Sequence, residues 1–244
     1  VARFLTLLTL TIFFLPFTHM AQAQDFTAAQ KEQINEIIKN YILDNGETII
    51  NSVENFQTKE EEKAAAEANN KAKEFTATLG KSDRPRAGNP KGDITLIEFF
   101  DYNCGYCRKA LEELVVVLEK DKNVNVIFFD MPILGPASME ASQWSLAAHK
   151  QGKYFEYHQA LLEHNGQKDK KTLEKIAKAQ GLDIDKLKKD KDSKEVTETL
   201  IKNLSQAQEM NIRGTPGFII DGKIYPGYMP ADRILDIIKE QRKG

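Results

Sequence analysis

Cys104 and Cys107 are the only cysteines in 244 residues, and they stand three apart at the seam between two patterns. Before them runs an apolar β-type stretch, Ile94, Leu96, Ile97, Phe99 and Phe100. After it, Cys107, Leu111, Leu114, Val115 and Leu118 recur at helical spacing. The chain here must be a strand that turns straight into a helix, with two thiols one helical turn apart and within bonding reach. Structural zinc needs a second cysteine pair or spaced histidines, and His19, His149, His158 and His164 show no such spacing. Haem attachment needs histidine after the second cysteine, where this chain has Arg108. A disulfide enclosing only Gly105 and Tyr106 would restrain almost nothing in the unfolded chain, so a structural staple is a poor reading too. What remains is a dithiol/disulfide redox centre, Cys104–Cys107, that calls for no metal and no cofactor.

The rest of the chain is read around that centre. Residues 1–23 have the parts of a secretory signal: Arg3, an uncharged and mainly apolar run over 4–17, and Ala21-Gln22-Ala23 at a small-x-small cleavage site. That run is shorter than the ~20 residues a spanning helix needs, so the expectation is a soluble, exported protein, with an uncleaved anchor as the alternative. Charge is balanced, 34 basic against 36 acidic residues, which argues against nucleic acid as a partner.

Residues 24–80 read as two helices. Thr27 and Gln30 fit a capping box, and Ile34, Ile37, Ile38, Tyr41 and Ile42 form an amphipathic stripe that ends at Asn45-Gly46. Ile49, Ile50, Val53, Phe56, Phe75 and Leu79 mark the second helix. Such narrow stripes must pack on something. The expectation is a helical stalk that self-associates, joined by a loop-like linker over 81–92; folding back onto the main domain is the alternative. The main domain spans 93–244. It opens with a strand, helix, strand βαβ unit, continues through a helical stretch over about 137–210, and closes with an Asp221-Gly222 hairpin and a last helix. His158 lies on an apolar face and reads as a core or interface histidine rather than a catalytic one. The fold class is therefore α/β.

This order of elements, with Glu98-Phe99-Phe100-Asp101-Tyr102-Asn103-Cys104-Gly105-Tyr106-Cys107, Pro132-Ile133-Leu134-Gly135 and Gly214-Thr215-Pro216, resembles the thioredoxin superfamily. The resemblance is to its DsbA-like form, a thioredoxin-like fold with an inserted helical domain, and within it to exported proteins of the ScsC and Com1 type. The run Tyr41-Ile42-Leu43-Asp44-Asn45 is similar to the N-terminal extension of such proteins, which in some members forms trimers. The resemblance implies that Cys104 is the exposed nucleophile and Cys107 the shielded resolving thiol. It implies that Pro216 is a cis-proline packed against the dithiol, with Thr215 facing substrate, where an ordinary trans turn is the alternative. It also implies that Glu98 is a buried acid beneath Cys107, against the alternative of a strand-edge carboxylate.

Gly105-Tyr106 and Thr215 resemble the choices of DsbC-type isomerases more than those of DsbA-type oxidases. The implied activity is disulfide isomerase or reductase, with an oxidase as runner-up; the rival from another class is a chaperone or surface-binding protein. Implied partners are proteins with cysteines or disulfides, a membrane redox partner and further copies of the chain in a homo-oligomer. The implied compartment is the periplasm of a Gram-negative bacterium.

Overall fold

The computed structural model describes residues 25–80 and 82–243, so the signal-like segment 1–23 lies outside it. The chain divides into two compact units, one ending at Thr58 and the other beginning at Lys59. In the first, helix α1 (Ala28–Asp44) starts at a capping box: Gln30 N–H donates to the Thr27 hydroxyl at 3.3 Å, and Thr27 N–H to Gln30 Oε1 at 2.9 Å. It ends at Asn45, whose backbone and side-chain N–H groups both reach the Tyr41 carbonyl. Helix α2 (Gly46–Thr78) follows and runs on across the boundary. Ile37, Ile38, Tyr41 and Ile42 on α1, and Ile49, Ile50, Val53 and Phe56 on α2, are all exposed.

The second unit is built on a five-stranded sheet. In chain order it holds β1 (Arg86–Gly88), β2 (Ile94–Phe100), α3 (Gly105–Lys120) and β3 (Val124–Asp130), then a helical block. The block comprises α4 (Pro136–His149), α5 (Tyr154–Glu163), α6 (Lys170–Ala179), α7 (Ile184–Lys191) and α8 (Lys194–Glu209). The hairpin β4 (Gly217–Ile220) and β5 (Lys223–Pro226) and helix α9 (Ala231–Gln241) follow. The sheet order is β1-β3-β2-β4-β5, with β2 in the centre. Strands β2 and β3 pair in parallel through α3, as the βαβ pattern requires, and β4 adds to β2 antiparallel. Asp221 and Gly222 at the hairpin turn have φ of 46° and 83°, the left-handed pair that the Asp-Gly step provides. Gly222 is needed for a second reason: a Cβ there would lie 2.9 Å from the Lys73 backbone on α2.

Period-two alternation on the central strands separates two cores. Leu96, Phe100, Val126, Phe128, Phe218 and Ile220 face α3, α9 and the helical block. Ile97, Phe99, Ile127, Phe129 and Ile219 face the other way, onto Ala72, Phe75 and Leu79 of the α2 end and Ala207, Met210 and Ile212. Asp169, Asp183 and Ser193 cap α6, α7 and α8 by accepting from the backbone three residues on, which divides the block into short helices.

Two sequence expectations need correction. The stretch 81–92 is not only a linker: Arg86–Gly88 forms an antiparallel edge strand on β3, with Arg86 opposite Ile127 and Gly88 opposite Asn125. The β3 edge would otherwise present unpaired backbone, and Pro85 and Asn89 extend the pairing with bonds to Phe128 N–H and the Val124 carbonyl. Nor does the stretch 24–80 stand apart as a whole. Ala72 and Phe75 near the end of α2 and Leu79 just after it cover the second side of the sheet, and Ala68 one turn earlier is buried as well, as the fold-back alternative has it for that part. Asn69 on the same stretch accepts the Ile224 N–H of edge strand β5 at 2.9 Å.

Candidate active site

The site forms where β2 runs out and α3 begins. Asp101 follows the last residue of β2, is fully buried, and has its carboxylate filled by four donors. These are the N–H groups of Asn103 (2.7 Å), Ile133 (2.8 Å) and Leu134 (3.0 Å) and the Ser138 hydroxyl (2.7 Å). It therefore ties the turn that carries Cys104 to the loop after β3. Cys104 then occupies the N-cap of α3 in extended conformation, with Cys107 one turn inside.

That position makes the two thiols unlike. Cys104 is half-buried and its thiol is lowered to about 5. A hydrogen bond with the Cys107 thiol is the largest cause, followed by the Thr215 side chain and the backbone N–H groups of Cys107 and Tyr106, all against the opposing effect of burial. Cys107 is fully buried, and burial, the bond with Cys104 and the Glu98 charge push its thiol far above the ordinary range. Both are free thiols here.

Thr215 and Pro216 come to the same place from over a hundred residues away. The Thr215–Pro216 peptide is cis, Pro216 is buried, and the Cys104 sulfur lies 3.3 Å from the Thr215 carbonyl oxygen, a bond that the protonated thiol donates. Glu98 lies on the central strand, so it is no strand-edge carboxylate. It points to the side of Leu96 and Phe100, where α3 and Cys107 pack. Neither of its carboxylate oxygens has a hydrogen-bond partner among the described residues, and burial together with the Cys104 charge raises it to about 8. At neutral pH it is mostly the uncharged acid. The structure thus brings Cys104, Cys107, Thr215 and Pro216 into one site with Glu98 behind it.

His158 stays out of the chemistry. It is fully buried against the Phe100, Phe128 and Tyr154 rings, its Nδ1 lies 3.1 Å from the Tyr102 hydroxyl, and burial lowers it to about 3. Sequence reasoning missed Asp101, whose partners Ile133, Leu134 and Ser138 are distant in the chain. It also missed Asp130, a fully buried acid that accepts from the Ser145 and Tyr154 hydroxyls at 2.8 Å and is raised to about 6 by burial. Exposed apolar groups frame the dithiol: Tyr106, Ile133, Leu134 and Tyr228, with the Tyr106 and Tyr228 rings 6.3 Å apart.

Comparison with known proteins places this architecture. A thioredoxin family model matches residues 80–240. A thioredoxin-like oxidoreductase from Silicibacter pomeroyi is 36% identical, with a TM-score of 0.66 over 68% of this chain and 97% of that one. A linker-deletion variant of Proteus mirabilis ScsC is 26% identical, with a TM-score of 0.68 over 91% of this chain and 99% of that one. Disulfide bond formation protein D of Bacillus subtilis is 24% identical over 178 residues, 68% of this chain and 77% of the relative. The chain spans only about a quarter of the length of the curated relatives it matches first, bacterial Na(+)/H(+) antiporters of the NhaA type. For the one from Salinispora arenicola, 25% identity over 148 residues covers 59% of this chain and 23% of the relative. With the dithiol at a strand–helix seam, a cis-proline facing it and a helical block set into the sheet, the chain belongs to the thioredoxin family, in its DsbA-like form.

Proposed function

We propose that this chain is an exported thiol:disulfide oxidoreductase acting on cysteine-bearing proteins, chiefly as a disulfide isomerase or reductase. The observation that carries the reading is the asymmetry of the pair: a half-buried Cys104 that is a thiolate at neutral pH, and a buried Cys107 that is not. The Cys104 thiolate attacks one sulfur of a substrate disulfide. That S–S bond breaks, one substrate thiolate leaves, and a mixed disulfide forms with Cys104. In isomerisation a different substrate thiolate attacks the substrate sulfur of that mixed disulfide: a new substrate S–S bond forms, the bond to Cys104 breaks, and Cys104 leaves as the thiolate it began as. In reduction Cys107 gives up its proton and attacks the Cys104 sulfur; the second substrate thiolate leaves and a Cys104–Cys107 disulfide forms. A membrane dithiol partner would then return the pair to its reduced state.

Glu98 fits the resolving step. Part of what keeps it protonated is the Cys104 charge, and that charge disappears once Cys104 is in a mixed disulfide. Its carboxylate then forms more readily, beneath the thiol whose proton must leave. Thr215 and Pro216 hold the substrate strand against Cys104, and the exposed apolar stripe of residues 37–56 supports assembly of several copies through the first unit.

Changing Cys104 to Ala should abolish refolding of a scrambled multi-disulfide protein in reducing buffer; retained activity would sink the enzymatic reading in favour of a binding protein. One observation favours the oxidase as a second reading: a stabilised thiolate also stabilises the reduced pair, which makes its disulfide a better oxidant. The resting state of the pair in its own compartment separates the two, reduced for the isomerase or reductase and oxidised for the oxidase.

A further inference from the structure

A cavity of about 250 Å3 opens beside Cys104, between the start of α3 and the α5–α6 loop, with Arg108, His164, Asn165 and Lys168 in its wall. Lys168 is only 7% exposed, yet its ammonium makes a single long hydrogen bond among the described residues, 3.4 Å to the His164 carbonyl. The Arg108 guanidinium bonds the neutral Asn165 side chain. Neither cation pairs with a carboxylate among the described residues. Asp101 is the acid whose charge reaches Lys168, and its oxygens are already taken by three N–H groups and the Ser138 hydroxyl. Burial first, and then repulsion from Arg108, hold the Lys168 ammonium below its ordinary value. Two cations kept together, one of them buried, without a counter-charge of their own are costly unless a ligand supplies one.

The groups that most depress the Cys104 thiolate are Cys107, Thr215 and the backbone N–H groups of Cys107 and Tyr106, and the charges that act on Lys168 are Arg108 and Asp101, so the thiolate is held by its own turn and leaves Lys168 without a partner. Cys104 shares the cavity wall, so an anion seated there belongs to the molecule whose sulfur meets Cys104.

We propose that this cavity is an anion subsite in which Arg108 and Lys168 receive a carboxylate carried by a substrate chain, a residue or two from the sulfur that Cys104 attacks. The inference rests on the oxidoreductase reading and adds a preference to it: cysteines flanked by Asp or Glu are attacked faster than the same cysteines flanked by neutral or basic residues. The planar fork of Arg108 suits bidentate binding of a carboxylate, and Lys168 adds a point charge from the opposite wall.

The test uses the full reduced protein and short peptides that carry one cysteine as a 2-pyridyl disulfide, with Glu, Gln or Lys two residues away. Attack at the peptide sulfur releases the pyridine thione, so the rate constant for each peptide can be read directly. The Glu peptide is expected to react about fivefold faster than the Gln peptide at low salt, and the Lys peptide slowest. That Glu/Gln ratio should fall toward one with added salt and, separately, in Arg108→Gln and in Lys168→Met. Because it is a ratio, any general effect of a variant on Cys104 divides out. A wild-type ratio near one overturns the proposal, as does a ratio that both variants leave intact. If no peptide reacts, the oxidoreductase reading itself fails, which is a different result. A second pair of probes, the pyridyl disulfides of a low-mass mercapto acid and its amide, separates the sources. Preference for the acid there, without preference for the Glu peptide, overturns the peptide as occupant and assigns the subsite to a small thiol carboxylate.

Discussion

Replacing Glu98 with Gln should make the reduced protein more stable while slowing the step that releases substrate. Glu98 is fully buried, no donor reaches either carboxylate oxygen among the described residues, and its acid is raised from 4.5 to about 8. Its folded value lies above its unfolded one, so between those values the native state holds a proton that the unfolded chain has lost. Stability is therefore full below about pH 4.5 and falls as pH rises through 8. At pH 7 the loss amounts to about 3 kcal/mol, an upper value because part of the shift comes from Cys104. Glutamine has nearly the same shape and no charge to lose. The wild type and Glu98→Gln should melt together near pH 4, and the variant should gain as pH rises. At pH 7 that gain is roughly 6–12 °C for a domain of this size. The measurement is thermal unfolding of both reduced proteins from pH 4 to 8.5. A gap that is independent of pH, or a less stable variant at pH 7, would refute the reasoning. The second readout is release of a mixed disulfide preformed on Cys104, which should slow in the variant because Cys107 has lost its proton acceptor.

Cys104 should titrate with a midpoint near 5. Against a free cysteine of pKa ~8.5 it carries about 30 times more thiolate at pH 7, but the lower basicity costs about 40-fold in intrinsic nucleophilicity, so the two react alike. At pH 5.5 the balance becomes roughly 20-fold in favour of Cys104, so exchange with an uncharged pyridyl disulfide should be followed there; a midpoint above 7.5 would overturn the assignment. Cys107→Ala removes the largest stabilising bond and should move that midpoint up. Asp101→Ala leaves three backbone N–H groups and the Ser138 hydroxyl without their acceptor and should cost about 3 kcal/mol or more by denaturant unfolding. A chain beginning at Lys59 should remain folded, since it keeps Ala68, Ala72, Phe75 and Leu79, and should be monomeric by light scattering; unchanged mass would refute assembly through the first unit.

What the sequence made legible was local. The strand ahead of Cys104, the helix behind it, the Thr27–Gln30 capping box and the Asp221-Gly222 turn each announce themselves within a few residues. Glu98 could be placed by its spacing from Cys104, but its lack of partners depends on packing from both faces of a central strand. Residues 86–88 have no alternation to read, since Arg-Ala-Gly becomes a strand only because the β3 edge is there to be paired. Ala72 looks like plain helix, and its value is the close approach it allows to the sheet. Asp101 stood inside the quoted motif, yet its donors Ile133, Leu134 and Ser138 lie more than thirty residues on. Lys168 and Arg108 are sixty residues apart in the chain and meet only in the folded wall beside Cys104.

The hydrogen bond from Ile224 to Asn69 has a consequence for a protein proposed to act on other polypeptides. Extended polypeptide is drawn to any open sheet margin, and each strand it adds is a step toward co-aggregation. Here one margin ends in a three-residue strand that closes at Gly88, where a positive φ of 78° and a Cβ site 2.5 Å from the Val124 carbonyl bar any longer side chain. At the other margin, Asn69 occupies the Ile224 amide and Pro226 has none to offer. Under the proposed activity, a protein docked at the dithiol would find few places where its backbone can spread sideways, and could leave once its sulfurs had been exchanged.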